Sequence, residues 1–365
     1  MNKTFSILIF ISTLFAGNAC KTDSSKTNIQ QKSEKDTFNI LEHATSIALI
    51  EKDSVWSYEI LTGQNRKVIE IPKSKLPFQK LAILSSSSIG YLEALDGFDN
   101  IEGVFDPQWI YSPQLSQLIE NKPEINQGNL VGFSLEKILT LNPDAVIAYS
   151  DPNMTKNYKR MEESGITIIY ADDFNEKTPL GKAEFLKLYG VLIDKEKQAN
   201  RLFEEIESNY LTLKNLALSQ PEKPTIFADI MRGDIWYMPG GKSFAAQYFM
   251  DAGGEYLWHD NSNSGSVKLN FEQVYEKASN ADIWMNAADL NSLSQVQKAY
   301  IHHDWFDAFQ QGNIYSLAQR MNSNGSNDYF ETGAVRVDWV LKDLVHIFHP
   351  ELLPDHRLYF YQKLK

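Results

Sequence analysis

The sequence predicts an α/β fold with two three-layer lobes, each built on a mostly parallel sheet, joined by a long connecting helix. Two observations carry this prediction. Short apolar strands alternate with amphipathic helices both before and after the middle of the chain, which is the pattern of βα units. Between these two regions, apolar residues recur at steps of three and four from Ala199 to Ala217, which indicates one buried face of a helix.

The composition supports two lobes and excludes one class of function. The chain has 365 residues, 43% of them hydrophobic, so it can build a substantial core in each half. Its formal net charge is -12, and no run of Lys and Arg stands out. Nucleic-acid binding is therefore not expected, because that function requires a basic surface.

The N-terminus has the features of an export signal. Lys3 precedes an apolar run over residues 5–15, which is too short to span a bilayer and is typical of a signal peptide. Small residues follow, and then Cys20, the only cysteine of the chain. A single cysteine excludes an internal disulfide and any cysteine-based metal cluster.

The position of Cys20 resembles the lipobox of bacterial lipoproteins. The resemblance implies that residues 1–19 are removed and that the thiol of Cys20 is acylated; an ordinary leader with an incidental cysteine is the alternative. Residues 20–36 are almost entirely polar, so they are expected to form a solvated tether rather than part of the fold. The expected location is the cell envelope, facing the periplasm, with the membrane that holds the anchor left open.

The N-terminal lobe is predicted over residues 37–178. Residues 37–80 alternate between apolar and polar types in short stretches, as small leading strands do. Apolar runs then predict the strands of a parallel sheet, at residues 81–84, 101–105, 144–149 and 167–170.

The connector is predicted over residues 179–220. Thr178 is a good N-cap, and Pro179 is tolerated in a first helical turn. Asp194 could cap a second helical stretch, so one bent helix and two helices are both open. The connector must end before Pro221 and Pro224, which favour extended chain.

The C-terminal lobe is predicted over residues 221–365. Its strands are expected at residues 225–228, 282–285 and 313–315. Helices are expected at residues 243–251 and 337–348, and Pro350 stops the last of them.

Six short motifs follow one another along the chain. They lie at residues 85–97, 101–104 and 134–144 in the first lobe, and at residues 251–254, 271–274 and 338–352 in the second. In this order they resemble the motifs of the substrate-binding proteins that serve importers of ferric siderophores, haem and cobalamin. The likeness covers roughly residues 80–365 and leaves residues 37–80 largely outside it.

This resemblance implies a rigid helix between two lobes that hold a ligand and close only modestly. It implies an ABC importer permease dimer with its ATPase as the partner, no resident cofactor, and a monomeric chain. It also implies that Glu136 and Glu272, one on each lobe, pair with arginines of the permease. The alternative for both residues is a favourable interaction with a helix dipole, worth about 0.3–1 kcal/mol.

Ligands of α/β lobes bind beyond the carboxyl ends of the strands. Aromatic side chains in such loops suit a large ligand with flat or apolar faces, although each could instead pack into the core. In the first lobe this rule selects Ser86, Trp109, Tyr111, Asn129 and Tyr149.

The same rule selects a second set of residues in the C-terminal lobe. A guanidinium there could bind carboxylate, hydroxamate or catecholate oxygens in a fork, or it could brace a loop through backbone carbonyls. The two arginines favour a ferric siderophore-type chelate as the ligand, with cobalamin or haem as alternatives. The candidates are Arg232, Trp236, Trp258, Arg320 and Asn327.

An enzyme is the main rival class. An enzyme is disfavoured because the sequence has no nucleophile elbow, no His-Glu-x-x-His and no complete phosphate-binding loop. A direct metal site at His302 and His303 is also disfavoured, since adjacent residues point in different directions. A second rival is a surface lipoprotein that relays its ligand to an outer-membrane receptor or binds another protein.

Overall fold

The computed structural model describes residues 39–62, 64–129 and 134–365. The predicted signal peptide, Cys20 and the tether at residues 20–36 lie outside these ranges. None of the helices in the described ranges combines the length and the apolar character needed to cross a bilayer.

The residues that precede the first lobe form a small antiparallel sheet. Its strands are β1 (Ile47–Glu51), β2 (Val55–Thr62) and β3 (Asn65–Pro72), paired in that order. Trp56 and Tyr58 are buried on β2, and the Tyr58 hydroxyl donates to the carbonyl of Tyr170 at 2.5 Å. The sheet is therefore packed onto the first lobe and shares its core.

Two buried carboxylates hold the segment that leads into this sheet. Glu184 accepts the backbone N–H groups of Glu42, His43 and Ala44 at 2.7–2.8 Å. Glu176 accepts the N–H groups of residues 45 and 46 at 2.7–3.1 Å. Lys187 Nζ lies 2.8 Å from Glu184 Oε1 and balances its charge. Each carboxylate is thus fully hydrogen-bonded, the condition under which a buried charge is tolerated.

The N-terminal lobe is built on a four-stranded sheet in which every pair of strands is parallel. The strand order is β5–β4–β6–β7, and β4 and β6 are buried throughout because helices connect the strands across both faces. The elements are β4 (Leu81–Ile83), α1 (Ser87–Ala94), β5 (Ile101–Val104), α2 (Pro113–Asn121), α3 (Leu135–Leu141), β6 (Ala145–Ala148), α4 (Thr155–Glu163) and β7 (Thr167–Tyr170).

The connector consists of three helices: α5 (Pro179–Ala183), α6 (Phe185–Leu192) and α7 (Glu196–Leu218). Thr178 caps α5 as predicted, because its side chain accepts the N–H of Gly181. Asp194 adopts a left-handed conformation with φ 59° and breaks the chain between α6 and α7. It does not cap α7, whose N-cap is Lys195.

The C-terminal lobe combines a parallel and an antiparallel sheet. The parallel sheet has the order β11–β8–β13, the antiparallel sheet has the order β12–β10–β9, and β14 pairs with β15. The elements are β8 (Thr225–Ala228), β9 (Met231–Arg232), β10 (Ile235–Pro239), α8 (Phe244–Asp251), β11 (Glu255–Tyr256), β12 (Ser266–Leu269), α9 (Phe271–Ala278), β13 (Ile283–Met285), α10 (Leu293–Ala299), α11 (Asp307–Gln310), β14 (Tyr315–Ser316), α12 (Thr332–Val335), α13 (Val337–Phe348) and β15 (Gln362–Lys363).

The predicted α/β class with two lobes is confirmed, and the parallel sheets lie where the apolar runs placed them. The antiparallel sheet of the second lobe was not predicted. Its strands are short and partly exposed, and β12 carries polar residues at alternate positions, so the sequence gives them little apolar signal.

The two lobes meet at Glu331. This residue is buried, and its carboxylate accepts the N–H groups of Tyr111 and Ser112 at 2.5 and 3.0 Å. Gly90 on α1 allows this approach, because a Cβ at that position would lie 2.2 Å from the carbonyl oxygen of Glu331. The hydroxyl of Ser326 adds a bond of 3.0 Å to the carbonyl of Gln108.

Stability should depend on pH through Glu331. Burial raises its pKa from 4.5 to about 8, against the lowering effect of the two N–H donors. The folded state therefore holds the proton more tightly than the unfolded chain, so the free energy of unfolding should fall as pH rises between these values. One such group changes stability by at most about 1.4 kcal/mol per pH unit.

Urea unfolding of the wild type and of Glu331→Gln between about pH 5 and pH 8 measures this effect. The wild type should lose more stability over the range than the variant, which cannot ionise there. Parallel pH profiles for the two proteins would contradict the assignment.

Candidate functional site

A pocket of about 450 Å³ lies at the carboxyl edge of the N-terminal sheet. It is formed by residues that follow all four strands: Ser85–Ser87 after β4; Phe105, Asp106 and Trp109 after β5; Tyr149 after β6; and Asp173 and Phe174 after β7. Lys182 on α5 and Phe330, which precedes α12, complete the walls. This is the position at which ligands bind in parallel α/β folds.

Three aromatic side chains at this pocket are exposed to an unusual degree. Trp109, Phe174 and Phe330 are 60%, 61% and 58% exposed, and Tyr149 is partly exposed. Large aromatic groups are normally buried or partnered, so their convergence on one pocket indicates a binding surface with flat apolar faces. Asp106, at φ 50°, turns the chain between β5 and Trp109.

The floor of the pocket is polar and centres on the buried Asp173. Its carboxylate accepts the hydroxyls of Ser87 at 3.0 Å and Tyr91 at 3.3 Å, and Lys182 Nζ lies 3.5 Å from it. The Ser85 and Ser87 hydroxyls are 3.1 Å apart. Burial and the charge of Asp173 hold the pKa of Tyr91 well above its usual value, so Tyr91 acts as a neutral donor.

The C-terminal lobe has two strained residues at the matching edge of its own sheet. Asp229 follows β8 and Asn286 follows β13, both in left-handed conformations with φ 63° and 53°. Burial raises the pKa of Asp229 to about 6, and the charge of Arg232 partly offsets this rise. Asp and Asn adopt this left-handed conformation more readily than other non-glycine residues, and both residues lie at the end of the sheet where ligands bind.

Among the predicted N-terminal residues, Ser86, Trp109 and Tyr149 line the pocket, while Tyr111 and Asn129 do not. Asn129 is exposed beside the undescribed residues 130–133. Tyr111 faces the guanidinium of Arg320, which lies 5.2 Å from its ring centroid.

Among the predicted C-terminal residues, the structure assigns Trp236 and Trp258 to the core. Trp236 has no exposed surface, and its indole donates to the carbonyl of Ala228 at 2.8 Å. Trp258 is also buried, with Lys277 over its ring at 5.2 Å. Both tryptophans therefore pack within the protein core and do not face the pocket.

The remaining three candidates do not line the pocket. Arg320 Nε donates to the buried Asp328 at 2.5 Å, so the arginine braces its loop through a carboxylate. Arg232 is exposed on the β9–β10 hairpin. The Asn327 side chain accepts the N–H of Tyr329 and donates to the carbonyl of Leu317, which fixes a turn.

Sequence reasoning missed Asp173, Phe174, Lys182 and Phe330. The first two follow a predicted strand, so the rule that selected Trp109 would have found them. Lys182 lies on the connector, and Phe330 comes directly after the Asn-rich loop at residues 322–329. Nothing in their sequence context indicates that either residue reaches a pocket of the first lobe.

Other features lie away from the pocket. In the described ranges, one group of side chains could hold a metal ion, namely Glu42, His43 and Glu207. His43 Nε2 already contacts Glu207 Oε1 at hydrogen-bond distance, 2.6 Å, so a side-chain hydrogen bond accounts for the closeness of these two residues. His303 is buried and hydrogen-bonded to the carbonyl of Val296, and burial lowers its pKa. A groove of about 490 Å³ lies between the β1–β3 sheet and the connector helices α6 and α7. Many of its lining residues are charged, and its two aromatic residues, Trp56 and Phe203, are buried.

The predicted docking residues are exposed on opposite lobes. Glu136 lies in the first turn of α3 and accepts the Ser134 hydroxyl at 3.2 Å. Glu272 lies in the first turn of α9, which Asn270 and Gln273 cap reciprocally. Neither carboxylate forms an ion pair with another described residue of the chain.

The chain resembles known proteins in both sequence and fold. The chain is 28% identical over 318 residues to an uncharacterized lipoprotein of Methanocaldococcus jannaschii, covering 84% of this chain and 72% of that protein. It is 27% identical over 146 residues to the vitamin B12-binding protein of Vibrio parahaemolyticus, covering 40% of this chain and 51% of that one.

The crystal structure of an ABC-type Fe3+-hydroxamate transport system from Saccharomonospora viridis has the same fold. The TM-score is 0.57 at 16% identity, and the match covers 77% of this chain and 95% of that one. The family model described as "Periplasmic binding protein" matches residues 81–321, which include the parallel sheets of both lobes and every residue of the pocket except Phe330. The chain belongs to the periplasmic binding protein family.

Proposed function

We propose that this protein is the substrate-binding lipoprotein of an ABC importer, which captures a bulky metal chelate between its lobes and delivers it to the permease. The aromatic-rimmed pocket at the strand ends carries this proposal, since three exposed rings converge there. A ferric siderophore-type complex, cobalamin and haem all present large flat or apolar faces that suit such a rim.

Ligand titration tests the proposal. Isothermal titration with cyanocobalamin, haemin and a ferric tris-hydroxamate should give micromolar or tighter binding for one of them. Trp109→Ala and Phe330→Ala should each weaken that binding by about tenfold or more, because a buried aromatic contact typically contributes 1–3 kcal/mol.

Trp305→Ala is the matched control, since Trp305 is 50% exposed, contacts the rings of Phe271 and Tyr275 on α9 and does not line the pocket, so that this change should leave the affinity unaltered. Failure of all three ligands to bind would contradict the proposal. Equal losses in Trp109→Ala and Trp305→Ala would contradict the choice of pocket.

The anchor is proposed at Cys20. The apolar run, the small residues and the single cysteine support acylation there, and several acyl chains bind a membrane firmly. Cys20→Ser should move the protein from the membrane fraction to the aqueous fraction of the cell envelope, whereas Ser24→Ala should not. Continued membrane association of the Cys20 variant would argue against the anchor.

Docking to the permease is proposed through Glu136 and Glu272. Their exposure on separate lobes supports a role in aligning the protein on a two-fold symmetric partner. The double variant Glu136→Gln, Glu272→Gln should lower cellular uptake of the bound ligand by about tenfold or more, because it removes two interfacial charge pairs.

The same double variant should keep its ligand affinity in solution. The control pair Glu124→Gln, Glu255→Gln changes two other exposed carboxylates and should leave uptake unchanged. Normal uptake in the first variant would rule out this docking mode and favour a protein that relays its ligand to another receptor.

A further inference from the structure

The charges around the pocket bear on the kind of chelate it accepts. Lys182 is the only cation among the described residues that line the pocket, which also include Asp106 and Asp173. The four undescribed residues 130–133 contain neither Lys nor Arg. The lining therefore carries no positive charge in excess.

Lys182 is already engaged within the protein. Its side chain is 16% exposed, and its ammonium lies 3.5 Å from Asp173 and 5.4 Å from the centroid of the Phe244 ring. Ser87 donates to one oxygen of Asp173, and the Tyr91 hydroxyl lies 3.3 Å from the other oxygen and 2.8 Å from the carbonyl oxygen of Lys182, so both hold this cluster in place. An anionic ligand would have to compete with a fixed internal partner for this single cation.

The two arginines that favoured an anionic chelate do not change this balance. Arg320 is paired with the buried Asp328, and its guanidinium lies 4.3 Å from the centroid of the Tyr359 ring. Arg232 is exposed on a hairpin and does not line the pocket. A multiply charged anion in this pocket would thus lose hydration against aromatic ring faces, whose electrostatic potential is negative. It would gain no ion pair with a free cation in return.

We infer that the pocket selects an uncharged metal chelate, such as a neutral corrinoid or a hydroxamate-type ferric complex, and that Asp173 sets this selectivity by neutralising Lys182. This inference rests on the proposed function and goes beyond it by specifying the charge of the ligand. Asp173 acts as a specificity residue because it decides whether the pocket presents a free cation.

Four probes of known charge test the inference on the purified protein. Cyanocobalamin and a ferric tris-hydroxamate are uncharged, whereas haemin and a ferric tris-catecholate carry negative charges. In isothermal titrations, at least one uncharged probe should bind about tenfold or more tightly than either anion. Its affinity should also change little with salt concentration, because no net charge is neutralised on binding.

The variant Asp173→Asn removes the partner of Lys182. The ratio of anion affinity to uncharged-probe affinity should rise by about tenfold, the effect of one exposed charge at short range. Asp99→Asn, a change at an exposed residue outside the pocket, should leave the ratio unchanged. Lys182→Gln gives a second measurement if Asp173→Asn unfolds, and it should weaken anion binding further.

The outcomes distinguish a failure of the proposed function from a failure of the inference about ligand charge. If none of the four probes binds, the proposed function itself fails and the inference fails with it. If an anion binds the wild type most tightly, the proposed function stands and the inference is wrong. An unchanged ratio in folded Asp173→Asn, or stronger anion binding in Lys182→Gln, would remove Asp173 from its assigned role.

Discussion

Buried carboxylates that accept backbone N–H groups from distant segments are the interaction on which this structure depends. Glu184 and Glu176 hold the segment that leads into the antiparallel sheet, and Glu331 joins the lobes. Asp343 on α13 accepts three successive N–H groups, of residues 359–361, and so holds the C-terminal segment. In each case, a segment that has no strand partner has its donors satisfied by a buried carboxyl group, and where that group is ionised these are among the stronger hydrogen bonds in proteins.

The same device shapes the pocket. Asp173 holds Ser87, Tyr91 and Lys182 in one network, and Asp328 keeps Arg320 away from the cavity. The acidic residues of the chain thus do more than produce its negative charge. They determine which polar groups face the pocket and which already have a hydrogen-bond or ion-pair partner within the protein. The aromatic side chains at the rim of the pocket remain exposed.

The fold was largely predictable because its main signals are local. Strands buried on both faces read as apolar runs, and the connector shows a helical period, so both were found in the sequence. The pocket was predicted in part. Ser86, Trp109 and Tyr149 follow predicted strands, but local sequence could not show that Trp236 points inward or that Arg320 has a buried partner. The long-range carboxylate contacts, such as Glu331 with residues 111 and 112, leave no pattern in the sequence.

Phe330 and Glu331 are consecutive residues, and this adjacency ties two properties together. Phe330 forms part of the wall of the pocket, whereas Glu331 connects the second lobe to the loop at residues 111 and 112. A displacement of this segment that took the carboxylate away from its two donors would also move the phenyl ring relative to the pocket. The shape of the pocket and the contact between the lobes would therefore change together.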